Sequence, residues 1–154
     1  MAKENELRIQ IEQKILEMSL GHLITTSSRI IFAMYEAAQK QLEITPPRSG
    51  ILILLDELGE LSQSQICDFL FLEKTNVSVL LRELEKEGLV TIKKDSKDKR
   101  TNLVHISAKG KKMIARLNEI NQEISAKISK NLSQTEKKFI KSYFQELLLS
   151  QIPS

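Results

Sequence analysis

The sequence predicts a mainly α fold of the α+β type: a winged helix-turn-helix domain with N- and C-terminal helices forming a dimerisation domain. Three observations predict it. Residues 61–104, LSQSQICDFLFLEKTNVSVLLRELEKEGLVTIKKDSKDKRTNLV, run from a short helix through a turn into a second helix, then into two strands joined by a charged tip. Only five glycines and three prolines interrupt 154 residues, which favours long helices. The helical stretches on either side carry apolar stripes that a thin chain cannot bury alone, and a second copy is the simplest cover. The expected organisation is 1–44 for one or more N-terminal dimerisation helices, 45–107 for the winged domain, and 108–154 for C-terminal dimerisation helices.

From about Glu6 to Gln41 no proline occurs. Ile11, Ile15, Met18 and His22 share one helical face, and Ile30, Met34 and Ala37 or Ala38 share another. Gly21 is expected to bend or divide this segment. Thr25, Thr26, Ser27 and Ser28 form a polar patch within it. Thr45-Pro46 starts the next helix, because threonine caps and proline loses nothing at the first helical position. Its apolar face is Ile51, Leu54, Leu55 and Leu58, with Gly59 as the stop. Ser62 opens a short third helix with Ile66, Phe69 and Leu70, and Phe71 and Leu72 fall in the turn. A fourth helix spans about Lys74 to Glu87 and stops at Gly88.

Strands are expected over Leu89–Lys94 and Thr101–Ile106, both rich in β-branched and aliphatic residues. Ser107 caps a long fifth helix in which Met113, Leu117, Ile120, Ile124 and Ile128 recur by three or four. Ser133 starts a last helix carrying Phe139, Ile140, Tyr143, Phe144, Leu147 and Leu148 on one broad face.

Charge narrows the function. The net charge is +3, and the three segments contribute −1, −1 and +5 in order. Within the middle segment, Lys93, Lys94, Lys97, Lys99 and Arg100 face only Asp95 and Asp98, so positive charge is focused at the strand tip and along the C-terminal helices. Cys67 is the only cysteine, which excludes an intrachain disulfide and a CxxC metal knuckle. His22 and His105 are isolated, so no metal is expected. The chain has no Gly-rich phosphate loop, no nucleophile beside a base motif and no paired carboxylates in a catalytic setting. It is therefore expected to be neither an enzyme nor a cofactor binder. No apolar run reaches the roughly 18–20 residues of a membrane span, and a cytoplasmic protein is expected.

The fourth helix has its own periodicity. Val77, Leu81 and Leu84, supported by Leu80, form the buried stripe, which leaves Thr75, Ser78, Val79, Arg82 and Lys86 facing outward. Such a face is ordinarily just solvated, but the surrounding motif reverses that reading. Bases are read from the N-terminal half of a groove helix, so Thr75, Asn76, Ser78 and Val79 are the expected readers, with Lys74 and Arg82 completing the DNA-facing set. Asn76 can pair bidentately with adenine, and Val79 can pack on a thymine methyl. Glutamates outweigh lysines and arginines along this helix and at its ends, so phosphate attraction falls to the tip. Arg100 is the expected minor-groove residue, Asp98 its holder, and Lys97 and Lys99 the expected phosphate neighbours.

At this point the chain resembles the MarR-type winged-helix transcriptional regulators. The resemblance covers Gly21 to the C-terminal helices and is carried by ITPPRSGILILL, LSQSQICDFL, TNVSVLLRELEKEGLV and KKDSKDKRTNLVHISAKGKKM. Asp98-x-Arg100 stands where the family has its D-x-R signature. The resemblance implies an obligate dimer with intertwined terminal helices, a palindromic operator and often a small-molecule effector. Two positions depart from it. Val79 stands where arginine or glutamine is common, which removes the most frequent contact to guanine and predicts an A·T-rich half-site. Cys67 stands where alanine is usual, and the family's peroxide sensors carry their reactive cysteine near the N-terminus, where this chain has none. Effector pockets in relatives lie between the dimer helices and the winged domain, which here points to His22, Thr25, Arg29 and Tyr35. The expected function is sequence-specific transcriptional repression by a homodimer on double-stranded DNA. The alternatives are a winged-helix adaptor that binds protein rather than DNA, and a redox-responsive regulator acting through Cys67.

Overall fold

The computed structural model describes residues 2–96 and 98–152, the side chains of Ala2 and Lys3 excepted. The elements are α1 (Ala2–Leu16), α2 (Leu20–Gln39), a 3-10 turn (Lys40–Leu42), α3 (Pro46–Leu58), β1 (Leu61–Ser62), α4 (Gln63–Leu70), α5 (Lys74–Lys86), β2 (Val90–Lys94), β3 (Asn102–Ile106), α6 (Ala108–Ile128) and α7 (Gln134–Leu149). Among the described residues, seven helices and one antiparallel sheet of order β1-β3-β2 make a winged helix-turn-helix with helical extensions at both ends. The contacts divide the chain into two units, one ending at Met34 and the other beginning at Tyr35.

The first unit holds α1 and the opening turns of α2. The helix break expected at Gly21 falls earlier, over residues 17–19. Serine rather than glycine makes it: the Ser19 hydroxyl accepts the His22 N–H at 3.4 Å, which caps the start of α2. The polar patch that follows stays helical because its hydroxyls bond back onto the helix. Thr25 Oγ1 donates to the Gly21 and His22 carbonyls, and Ser28 Oγ to that of Thr25. Leu7, Ile11, Ile15, Leu23 and Ile30 are exposed along this unit.

The second unit is built on α3. Thr45 is its extended N-cap, but the Thr45 hydroxyl makes no capping bond; Pro46 at the first position and the Ser49 N–H on the Thr45 carbonyl (2.9 Å) secure the entry instead. Ile51, Leu52, Leu54 and Leu55 of α3 are buried with Ile66 of α4, Val77, Leu81 and Leu84 of α5, Val90, Val104 and Leu117. Ser62 caps α4 in a reciprocal capping box with Gln65, and Phe71 closes it in the left-handed region at φ 53°. Gly88, at φ 70°, lets the chain leave α5 and turn into the sheet.

The hairpin pairs Val90 with Ile106 through to Lys94 with Asn102. A third strand lies outside the expected pattern: Leu61 and Ser62 pair with Val104 and Leu103, and two residues are too few to carry a strand period. Ser107 caps α6 by accepting the Gly110 N–H. The buried face of α6 is Ile114, Leu117, Ile120 and Ile124; Met113 is only half-buried and Ile128 is exposed, so the expected stripe is shifted at both ends. A second capping box, Ser133 with Glu136, starts α7. This helix buries none of its residues, and Phe139, Tyr143, Phe144, Leu147 and Leu148 lie open along it.

Candidate nucleic-acid interface

Alternation between core and solvent fixes which side of α5 faces outward. Val77, Leu81 and Leu84 are at most 3% exposed, while Lys74, Thr75, Asn76, Val79, Arg82 and Lys86 stand on the outer side. Ser78 differs from its neighbours. It is half-buried, donates to the Lys74 carbonyl at 2.9 Å and accepts from Gln63 Nε2 at 2.5 Å. Gln63 also donates to the Lys74 carbonyl at 2.9 Å. The Ser78 hydroxyl is thus committed within the fold, which leaves Thr75, Asn76 and Val79 as the open part of the N-terminal half. Arg82 Nε folds back onto the Ser78 carbonyl at 3.2 Å. Sequence reasoning missed Gln63, since a polar residue in the first turn of a capped helix carries no signal of what it holds.

The wing tip spans residues 95–101. The Asp95 N–H donates to the Thr101 carbonyl and the Thr101 N–H to the Asp98 carbonyl, each at 2.9 Å. The Asp98 carboxylate gathers the tip: Oδ1 accepts the Arg100 backbone N–H at 3.0 Å and lies 3.4 Å from Arg100 Nε, and Oδ2 accepts the Thr101 hydroxyl at 3.0 Å. The Arg100 N–H and then the Thr101 hydroxyl hold the Asp98 carboxyl below its usual range. The Arg100 side chain is 95% exposed, fixed at its root and open at its guanidinium. Lys99 is exposed beside it, and Lys97 lies outside the described residues.

A winged domain with an outward-facing helix and a basic, carboxylate-braced hairpin is the arrangement of a known family. The MarR family model matches residues 42–101, from the turn before α3 to the wing tip. The chain is 30% identical over 95 residues to the organic hydroperoxide resistance transcriptional regulator of Bacillus subtilis, a match covering 62% of this chain and 65% of that protein. It is 27% identical over 139 residues to the HTH-type transcriptional regulator SarZ of Staphylococcus saprophyticus, covering 85% of this chain and 94% of SarZ. The winged domain of this chain is therefore similar to that of the MarR family of transcriptional regulators. A cysteine-to-serine mutant of E. coli MarR, solved in complex with operator DNA, shares the fold, with a TM-score of 0.77 at 19% identity over 84% of this chain and 93% of that one.

The residues expected around an effector fall in both units of the chain. His22, Thr25 and Arg29 are exposed on α2 in the first unit. Tyr35 belongs to the second unit, where it lines a cavity of about 240 Å³ with Gln39, Pro46, Ser49, Gly50, Ile53 and Asn121. Burial pushes the Tyr35 hydroxyl up, so it is a neutral hydrogen-bonding group there. Gln39 is buried and accepts from the Ser49 hydroxyl at 3.1 Å at the edge of this cavity. Cys67 packs against the core of the second unit, and burial, with Asp68 adding to it, pushes its thiol up, which disfavours the reactive thiolate. Among the described residues no helix is long and apolar enough to cross a membrane.

Proposed function

We propose that the chain is a sequence-specific DNA-binding repressor that acts as a homodimer on a palindromic operator with A·T-rich half-sites. One observation carries this reading: the open N-terminal half of α5, with Thr75, Asn76 and Val79, beside a basic wing whose Arg100 is braced by Asp98 yet exposed. The helix supplies side chains that read bases, and the wing supplies cation density for phosphates and the minor groove. Lys74, Arg82, Lys97 and Lys99 add phosphate contacts at the margins. With Ser78 engaged by Gln63, it shapes the helix rather than reading a base. The exposed apolar faces of α1 and α7 support a dimer, since faces of that breadth require cover. The cavity beside Tyr35 supports an effector that bears on the start of α3.

A salt-titrated binding assay on DNA from the protein's own promoter region, combined with mass measurement in solution, tests this. The expected result is a steep loss of affinity with salt, a mass twice that of the 17.6 kDa chain, and half-sites about 34–36 Å apart. A monomer whose binding ignores both salt and palindromic sequence would overturn the proposal and leave the protein adaptor.

A further inference from the structure

The base of the recognition helix is held by a charge that no DNA-facing surface includes. Arg48, in the first turn of α3, is only 7% exposed, one of three buried polar residues among those described. Its guanidinium reaches the C-terminal end of α5: Nη2 donates to Glu87 Oε2, and Nε lies 3.9 Å from Glu83 Oε2. That Nε is shielded from solvent and has no hydrogen-bond partner, so Glu83 answers it by charge rather than by a bond. Glu83 and Glu87 lie one turn apart, with Glu85 between, at the negative end of the helix dipole. Left alone they would repel one another and the dipole. A buried cation bridging two of them offsets both effects.

The first turn of α6 fastens the same end. Ser107 Oγ donates to the Gly88 carbonyl at 2.7 Å, the Ser107 N–H to the Leu89 carbonyl at 2.9 Å, and Lys109 Nζ to the Glu87 carbonyl at 2.8 Å. Gly110 packs so closely that a Cβ there would lie 2.4 Å from the Leu89 carbonyl oxygen. From Glu87 to Thr75 is roughly 18 Å along the helix, so a tilt of about ten degrees at the base moves the reading end by roughly 3 Å. Base contacts do not tolerate a displacement of that size.

We propose that Arg48 is a positioning residue for base recognition: it sets the pose of α5 without touching DNA, and so governs specific but not non-specific binding. This rests on the reading of α5 as the groove helix. The test compares affinities for a duplex selected by the wild-type protein from a random library and for an unrelated duplex of equal length, each over a salt series, alongside thermal unfolding. Arg48→Gln is expected to lower affinity for the selected duplex by about tenfold or more, leaving the unrelated duplex and the salt slope unchanged. Arg48→Lys, which keeps the charge but not the two-pronged reach, should recover part of the loss. Combining Arg48→Gln with Glu87→Gln should cost no more than Arg48→Gln alone. Should Arg48→Gln fail to fold, Glu87→Gln on a half-exposed carboxylate carries the same comparison. Equal loss on both duplexes with a shallower salt slope would make Arg48 a phosphate contact and overturn the proposal; so would an unchanged ratio between the duplexes. A wild-type protein that selects no sequence at all would remove the groove-helix reading, and this inference with it.

Discussion

The recognition helix and the wing hold their side chains by opposite means. Helix α5 is anchored by apolar burial along Val77, Leu81 and Leu84 and pinned at its base by Arg48, Ser107 and Lys109. The wing tip buries none of its described residues fully, and the Asp98 carboxylate helps to shape it through surface bonds. Their charges also differ. Carboxylates at Glu73, Glu83, Glu85 and Glu87 outnumber Lys74, Arg82 and Lys86 along and around the helix, whereas the wing carries Lys93, Lys94, Lys97, Lys99 and Arg100 against Asp95 and Asp98. The helix is built to hold a geometry, and the wing to present a charge. If α5 reads bases and the wing grips phosphates, as proposed, selectivity and grip fall to different parts, and altering the wing should change DNA binding without changing stability.

The largest effect belongs to the anchored side. Leu84 is fully buried, so Leu84→Ala should cost about 2–5 kcal/mol in chemical denaturation and weaken binding to every DNA sequence. A loss well under that range would mean that the stripe does not anchor the helix. Arg100→Ala should instead leave unfolding within about 0.5 kcal/mol of the wild type. Its effect should appear in DNA binding: weaker for most sequences, with a salt slope shallower by about one. If affinity and slope both stay put, the wing does not supply the grip. Between these two lies the reading end of the helix. Asn76→Ala should relax preference at a single base pair by about 1–3 kcal/mol, and selection with the wild type should return A·T pairs opposite Val79. Guanines recovered at that position would end the A·T reading.

Much of this contrast is legible in the sequence, for reasons that differ by residue. The stripe Val77-Leu81-Leu84 and the cap serines Ser62, Ser107 and Ser133 are local signals, set by helical period and by one hydroxyl bonding to a nearby N–H. The geometry of Asp98 beside Arg100 is likewise local, two residues apart in a tight turn. Long-range pairings leave no such trace. Arg48 meets Glu87 across 39 residues, Gln63 meets Ser78 across 15, and β1 exists only because β3 lies beside it. The break at residues 17–19 escapes a reading by composition because glycine looks like the interruption, whereas the capping hydroxyl of Ser19 decides where α2 begins.

The smallest expected effect probes the Asp98 brace of the wing. The Asp98 carboxyl is held below its usual range first by the Arg100 N–H and then by the Thr101 hydroxyl. A carboxylate with a depressed folded value stabilises its surroundings above the unfolded value of about 3.9, and that contribution is lost as pH falls through the lower folded value. The tip should therefore keep its form unchanged across neutral pH and loosen only below about pH 4. Amide shifts of Arg100 and Thr101 followed by NMR should titrate together with a midpoint below the ordinary carboxylate value. Asp98→Asn should flatten that titration and mildly weaken DNA binding at neutral pH, because the neutral amide accepts the same N–H less strongly. A wild-type midpoint at or above the ordinary value would mean that the carboxylate does not hold the tip in solution, and Arg100 would then reach DNA, if it does, from an unbraced loop.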